Sequence, residues 1–143
     1  MDSLVELANE KLAIFAKRYT LCRVGEGARD ALDLQVLDTE GEGGVRGTRS
    51  LSGGETFLVS LALALALGRL VSRTSHLRTL FIDEGFGSLD SESILPVLAA
   101  LATVATGDVQ IGLISHVPEI AEGVSARVEV KKQGGVSRLL VTA

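Results

Sequence analysis

The chain has 143 residues, 46% of them apolar, 3% aromatic and none tryptophan, and a formal net charge of −4. Such a length and composition describe one globular domain with a core of Leu, Val, Ile and Ala, and exclude a disordered segment or two full domains. Four lysines and ten scattered arginines are too few for the clustered basic face that tight nucleic-acid binding draws on. The single cysteine, Cys22, excludes an internal disulfide or a Cys-rich metal site; it reads as a small buried hydrophobe in a reducing, cytoplasmic interior. The first residues, MDSLVELANEK, are acidic and lack the basic stretch of a secretory signal.

Leu4, Leu7, Ala8, Leu12 and Phe15 recur at helical spacing, which predicts an amphipathic helix over residues 3 to 18. In ALDLQVLD, Leu32, Leu34 and Val36 alternate with Asp33 and Gln35, the pattern of a half-buried strand. The next stretch, TEGEGGVRG, misses the G-x-G-x-x-G spacing and reads as a flexible hairpin connection. Arg46 and Arg49 bracket its end within reach of a phosphate, although a solvated pair is the simpler reading.

Residues 57 to 71 form an apolar run interrupted by Ser60, Gly68 and Arg69. Counted this way, the run falls short of the ~20 residues that span a bilayer and reads as a core helix. LRTLFID and VQIGLIS are short apolar strands of the kind buried on both faces of a parallel sheet. Between them SESILPVLAALATV reads as a helix with Ser93 as N-cap and Pro96 in its first turn, so a right-handed crossover joins the strands. The tail alternates on both sides of Gly134-Gly135, a hairpin signal.

Chemistry concentrates at three places. TLFID ends in the adjacent carboxylates Asp83 and Glu84, at the carboxyl end of a strand where open parallel sheets bind ligands. One carboxylate can hold Mg²⁺ while its neighbour orients and deprotonates a water. The second strand ends in Ser115 and His116, and the histidine is placed to donate a hydrogen bond to a phosphate oxygen. Ser52, Gly53 and Gly54 open the apolar helix with a hydroxyl and close-approach glycines, which suits an anion; an N-cap without a ligand is the plainer alternative.

LSGGE at 51 to 55, LFIDEGFGSLD at 80 to 90 and ISH at 114 to 116 resemble, in that order, the signature motif, the Walker B motif with D-loop, and the H-loop of ATP-binding-cassette ATPases. Within that superfamily, FIDEGFG followed by SLD resembles SbcC, the ATPase subunit of a DNA-repair exonuclease, and its eukaryotic and archaeal counterparts. The resemblance implies an α/β fold: the C-terminal half of an ABC-type ATPase head, a mostly parallel buried sheet flanked by helices, with a C-terminal β-hairpin. ELANEKLAIFAKRYTL resembles the end of the family's returning coiled coil, so residues 1 to 20 would enter the head and 21 to 143 form its C-terminal lobe.

The same resemblance implies ATP and Mg²⁺ as ligands, with Asp83 on the metal, Glu84 as base or water-orienting residue, and His116 at the γ-phosphate. Ser52, Gly53 and Gly54 would grip ATP held by the opposite head of a dimer, and Asp90 would link the two sites. No G-x-x-x-x-G-K-[ST] occurs in the sequence, so the P-loop would come from an N-terminal lobe, on the same or a split polypeptide. The implied partners are that lobe, a second head, an SbcD-like nuclease subunit and, through the complex, DNA, with no membrane. Two alternatives stand beside this reading: a transport-associated ATPase fragment, and a catalytically silent interaction module.

Overall fold

The computed structural model describes residues 2–24, 34–40, 44–72, 79–105 and 109–143. Helix α1 (Asp2–Phe15) buries Ala8, Leu12 and Phe15, the stripe its sequence spacing requires, and stops three residues before the expected end. Strands β1 (Tyr19–Arg23), β2 (Leu34–Asp38) and β3 (Gly44–Gly47) follow as an antiparallel sheet in the order β1-β2-β3. Only β2 was legible as a strand. β3 occupies the second half of the glycine-rich connection and pairs back on β2, while residues 31–33 of the expected strand and 41–43 of the expected connection lie outside the described residues. Cys22 is half-buried rather than buried, because the β1 alternation gives the core to Tyr19 and Leu21.

Helix α2 (Gly53–Ser72) opens at the Ser52–Gly54 turn as expected and is 20 residues long, because it includes the four residues ahead of the apolar run as well as the run itself. It therefore does reach the length and hydropathy of a bilayer-spanning helix. It is nevertheless a core helix: Leu58, Val59, Leu61, Ala62, Leu65 and Ala66 are buried, and Arg69 pairs with Glu10 of α1 at 2.7 Å.

Strands β4 (Thr79–Asp83) and β5 (Gln110–Ile114) are parallel, in register from Thr79 beside Gln110 to Asp83 beside Ile114. Helix α3 (Ser91–Val104) makes the crossover between them. Leu80, Ile82, Ile111 and Leu113 pack toward the core. The opposite face is open, with Phe81 70% and Ile114 51% exposed, so the expected burial on both faces is not met. Among the described residues, helices cover one face of this pair only.

The N-cap of α3 is Asp90, not Ser93: its carboxylate accepts from the Ser93 amide at 2.8 Å. The helix consequently starts earlier, and Pro96 lies in its second turn, where the missing N–H removes an intrahelical bond. Helix α4 (Pro118–Gly123) leads into strands β6 (Arg127–Gln133) and β7 (Val136–Thr142). These form the expected antiparallel hairpin, turned by Gly134 and Gly135 at φ +57° and +81°, values that glycine adopts without steric cost.

Candidate functional site

The carboxyl end of the β4–β5 pair gathers most of the residues singled out from the sequence. Asp83 closes β4 and is exposed. Glu84 follows in the left-handed region at φ 59°, the one non-glycine among the described residues with positive φ, a conformation that costs on the order of 1 kcal/mol. The strain is held by its amide, which donates to the Ile114 carbonyl at 2.8 Å and prolongs the ladder beyond β4. Gly85, at φ +96°, continues the bend beneath the Phe57 ring, which occupies the space a Cβ would need. The chain then makes a single 3₁₀ turn, Phe86–Ser88, in which Phe86 is fully buried and meets Phe57 edge to face at 4.9 Å.

His116 stands just beyond β5. Its Nδ1 lies 3.0 Å and 3.3 Å from the two carboxylate oxygens of Glu84, with both side chains more than half exposed. The parallel register thus brings together residues 32 apart in sequence. If Nδ1 carries the proton toward Glu84, Nε2 of a neutral ring is an acceptor. Donation to a phosphate oxygen through Nε2 then needs the imidazolium, or a phosphate that displaces Glu84 from Nδ1. No group of three or more His, Cys, Asp or Glu side chains forms a metal cage among the described residues. A lone exposed carboxylate such as Asp83 fits a hydrated Mg²⁺ that takes its other ligands from water and phosphate.

Ser52 caps α2 by a reciprocal pair of bonds. Its Oγ accepts from the Glu55 amide at 3.3 Å and its own amide donates to Glu55 Oε2 at 2.7 Å, a capping box whose S-x-x-E spacing was present in the sequence. The two glycines after it differ. A Cβ on Gly53 would meet Ser88 Cβ at an ordinary 3.5 Å, whereas one on Gly54 would lie 2.6 Å from the Ser88 carbonyl oxygen. Gly54 is therefore needed by the neighbouring 3₁₀ turn of its own chain, whatever else approaches it. That contact and the Phe57–Phe86 pair fasten the 52–54 turn to the loop carrying Glu84. The carboxylate of Asp90 is engaged as the α3 cap, and hydrogen bonds from Ser93 hold its pKa below the usual carboxylate range.

Of the charged residues behind this turn, only Arg46 was singled out in the sequence; no local pattern marks Arg18 or Asp38, and Glu55 shows only its capping-box spacing. Glu55 Oε1 accepts from Tyr19 Oη at 2.8 Å and from Arg46 Nη2 at 2.9 Å; Arg46 also reaches Asp38, and Asp38 takes a two-pronged bond from Arg18. Arg46 is thus a network member and not a solvated loop cation. Burial raises the Glu55 pKa, yet bonds from the Ser52 amide, Arg46 and Tyr19 more than offset it and leave the carboxyl at about 2. Burial and the bond to Glu55 push Tyr19 up to about 12.

Residues 27–103, a little over half of the chain, match the family model described as SbcC/RAD50-like, Walker B motif. The chain belongs to the SbcC/RAD50-like family. Among curated relatives, this SbcC/RAD50-like chain is 47% identical over 135 residues to the SbcC component of the nuclease SbcCD of Rhodobacter capsulatus, covering 94% of the chain and 10% of the relative. It is 44% identical over 142 residues to the component of the same name from Pseudomonas aeruginosa, covering 99% and 11%. A probable DNA double-strand break repair Rad50 ATPase of Aquifex aeolicus is 45% identical over 144 residues, covering 99% and 14%. The chain therefore spans only about a tenth of the length of these SbcC relatives.

Solved SMC heads share the fold. One, from work on ATP-driven dimerisation and DNA-stimulated activation of SMC ATPases, superposes with a TM-score of 0.78 at 16% identity, covering 99% of this chain and 84% of the other. An Smc head bound to the C-terminal winged-helix domain of ScpA gives 0.79 at 17%, covering 99% and 43%. The expected fold class, an α/β ATPase-head half with a parallel sheet, flanking helices and a C-terminal hairpin, is the one observed, although among the described strands the expected mostly parallel, buried sheet is a single parallel pair open on one face.

Proposed function

We propose that this chain is the C-terminal part of the ATP-hydrolysing subunit of an SbcCD-like nuclease complex that processes DNA ends in the cytoplasm. The observation that carries the proposal is the meeting of Asp83, Glu84 and His116 at the carboxyl ends of two parallel strands, with the Ser52–Gly54 turn packed onto the same loop. Asp83 would hold Mg²⁺, which when bound would supply positive charge to neutralise the phosphate oxygens. Glu84, turned outward by its left-handed backbone, would orient the attacking water and accept its proton, while His116 fixes the Glu84 carboxylate and faces the γ-phosphate.

Ser52, Gly53 and Gly54 would grip the γ-phosphate of ATP held by an opposite head, where the α2 dipole favours an anion. Asp90 would contribute to the link between the two sites chiefly by fixing the start of α3. The P-loop lobe would be supplied by another segment of a longer protein or by a second polypeptide, since this sequence has no phosphate-cradling lysine motif. A nuclease subunit and DNA would be partners of the assembled complex.

Supplying a P-loop lobe to the chain is expected to produce Mg²⁺-dependent ATP turnover that Glu84→Gln abolishes. Unchanged turnover in that variant would remove Glu84 from its role.

A further inference from the structure

An ion-pair chain holds the 52–54 turn from behind. It starts at Arg18, just past the end of α1, whose Nε and Nη2 reach the Asp38 carboxylate of β2 at 3.1 and 2.8 Å. Asp38 Oδ2 also accepts from Arg46 Nη2 of β3 at 2.8 Å, and the same nitrogen reaches Glu55 Oε1 at 2.9 Å. Glu55 Oε2 ends the chain on the Ser52 amide. Two guanidiniums balance two carboxylates, and Tyr19, stacked under Arg18 at 4.8 Å, adds its hydroxyl to Glu55.

Stability alone is a poor reason for this arrangement, because both arginines keep a third or more of their side-chain surface in solvent, and ion pairs of that exposure contribute little. Asp38 is the one charged or polar residue buried in the core among those described, and Arg46 Nε is buried with no hydrogen-bond partner there. What the chain provides is orientation and charge balance. Glu55 sets the Ser52 amide and hydroxyl, yet a bare carboxylate on the first turn of α2 would repel an anion arriving at that turn. Arg46 cancels the repulsion from behind and leaves the turn open.

We infer that Arg46 and Asp38 are positioning residues for the 52–54 turn: Arg46 fixes and neutralises Glu55, Asp38 fixes Arg46, and Arg18 ties the pair to the end of α1. The inference rests on the reading of that turn as a phosphate grip. It makes the grip depend on where α1 gives way to β1, through residues that never touch the nucleotide.

Two measurements separate this inference from the reading beneath it. In the 143-residue chain, amide hydrogen exchange is followed by NMR for wild type, Arg46→Met, Arg46→Lys and Asp38→Asn. Ser52 exchange is expected to accelerate about tenfold in Arg46→Met and Asp38→Asn, with partial recovery in Arg46→Lys, as for loss of one charge-assisted bond. Amides in the middle of α3 are expected to hold their wild-type rates. An unchanged Ser52, or equal acceleration throughout the chain, would overturn the positioning role.

With the P-loop lobe added, Arg46→Met is expected to raise the ATP concentration for half-maximal turnover about tenfold with kcat within about twofold, Arg46→Lys lying between. A fall in kcat alone would overturn the link to phosphate gripping. An inactive wild-type assembly would refute the ATPase reading, and Ser52 exchange would still decide the positioning role.

Discussion

Gly54 and Gly53 sit side by side in the signature-type turn, and the structure predicts opposite fates for the two when alanine replaces them. A Cβ at position 54 would lie 2.6 Å from the Ser88 carbonyl oxygen, where contacts shorter than 3.4 Å are already tight. The helix start and the 3₁₀ turn must then separate by about 0.8 Å, because neither the Cβ, fixed to its backbone, nor the Ser88 carbonyl can rotate away. Overpacking of this kind costs about 1–3 kcal/mol, against which the better helix propensity of alanine returns at most about 1 kcal/mol. With the full propensity return subtracted from the middle and upper part of that range, Gly54→Ala should destabilise the free chain by about 1–2 kcal/mol and lower its Tm by roughly 3–8 °C. Gly53→Ala meets only an ordinary contact at 3.5 Å and should leave Tm unchanged or slightly raised. Thermal unfolding of the two variants followed by circular dichroism, without nucleotide, is the assay. If Gly54→Ala melts like wild type, packing against Ser88 is not what requires a glycine at 54.

Phe86→Ala removes a fully buried ring and its edge-to-face partner at 4.9 Å, so a loss of about 3–5 kcal/mol is expected in urea unfolding. Because the Glu55 carboxyl is lowered to about 2 from 4.5, its contribution to stability is complete above about pH 4.5 and lost as pH falls toward 2; Glu55→Gln should flatten the Tm profile in that window. Tyr19, raised to about 12 from 10.0, works the other way, contributing below pH 10 and losing that contribution as pH climbs to 12, which Tyr19→Phe should remove. The 143-residue chain by itself is expected to turn over ATP negligibly and bind it weakly; micromolar binding by calorimetry would contradict the need for a separate P-loop lobe.

Much of this molecule was legible in the order of its residues. The helical spacing of Ala8, Leu12 and Phe15, the apolar β4 and β5 runs around a helix, and the Gly134-Gly135 turn are local signals, fixed by backbone period and by which residues tolerate positive φ. Residue type and motif order also picked out Asp83, Glu84, His116 and the Ser52 turn, which the fold gathers at one end of the β4–β5 pair.

The tertiary structure alone decided where those residues stand. The Glu84–His116 contact spans 32 positions, Arg18–Asp38 spans 20 and Tyr19–Glu55 spans 36, so no window of sequence contains both partners. Asp38 reads locally as the polar end of a strand; two arginines, one from the α1–β1 turn and one from β3, converge on it where it is buried. The Pro96 position followed the stronger cap, Asp90, and the open face of β4 and β5 followed from which elements pack on them. Period and capping act over a turn or a strand pair, whereas ion pairing, close backbone approach and exposure depend on what the rest of the chain brings alongside.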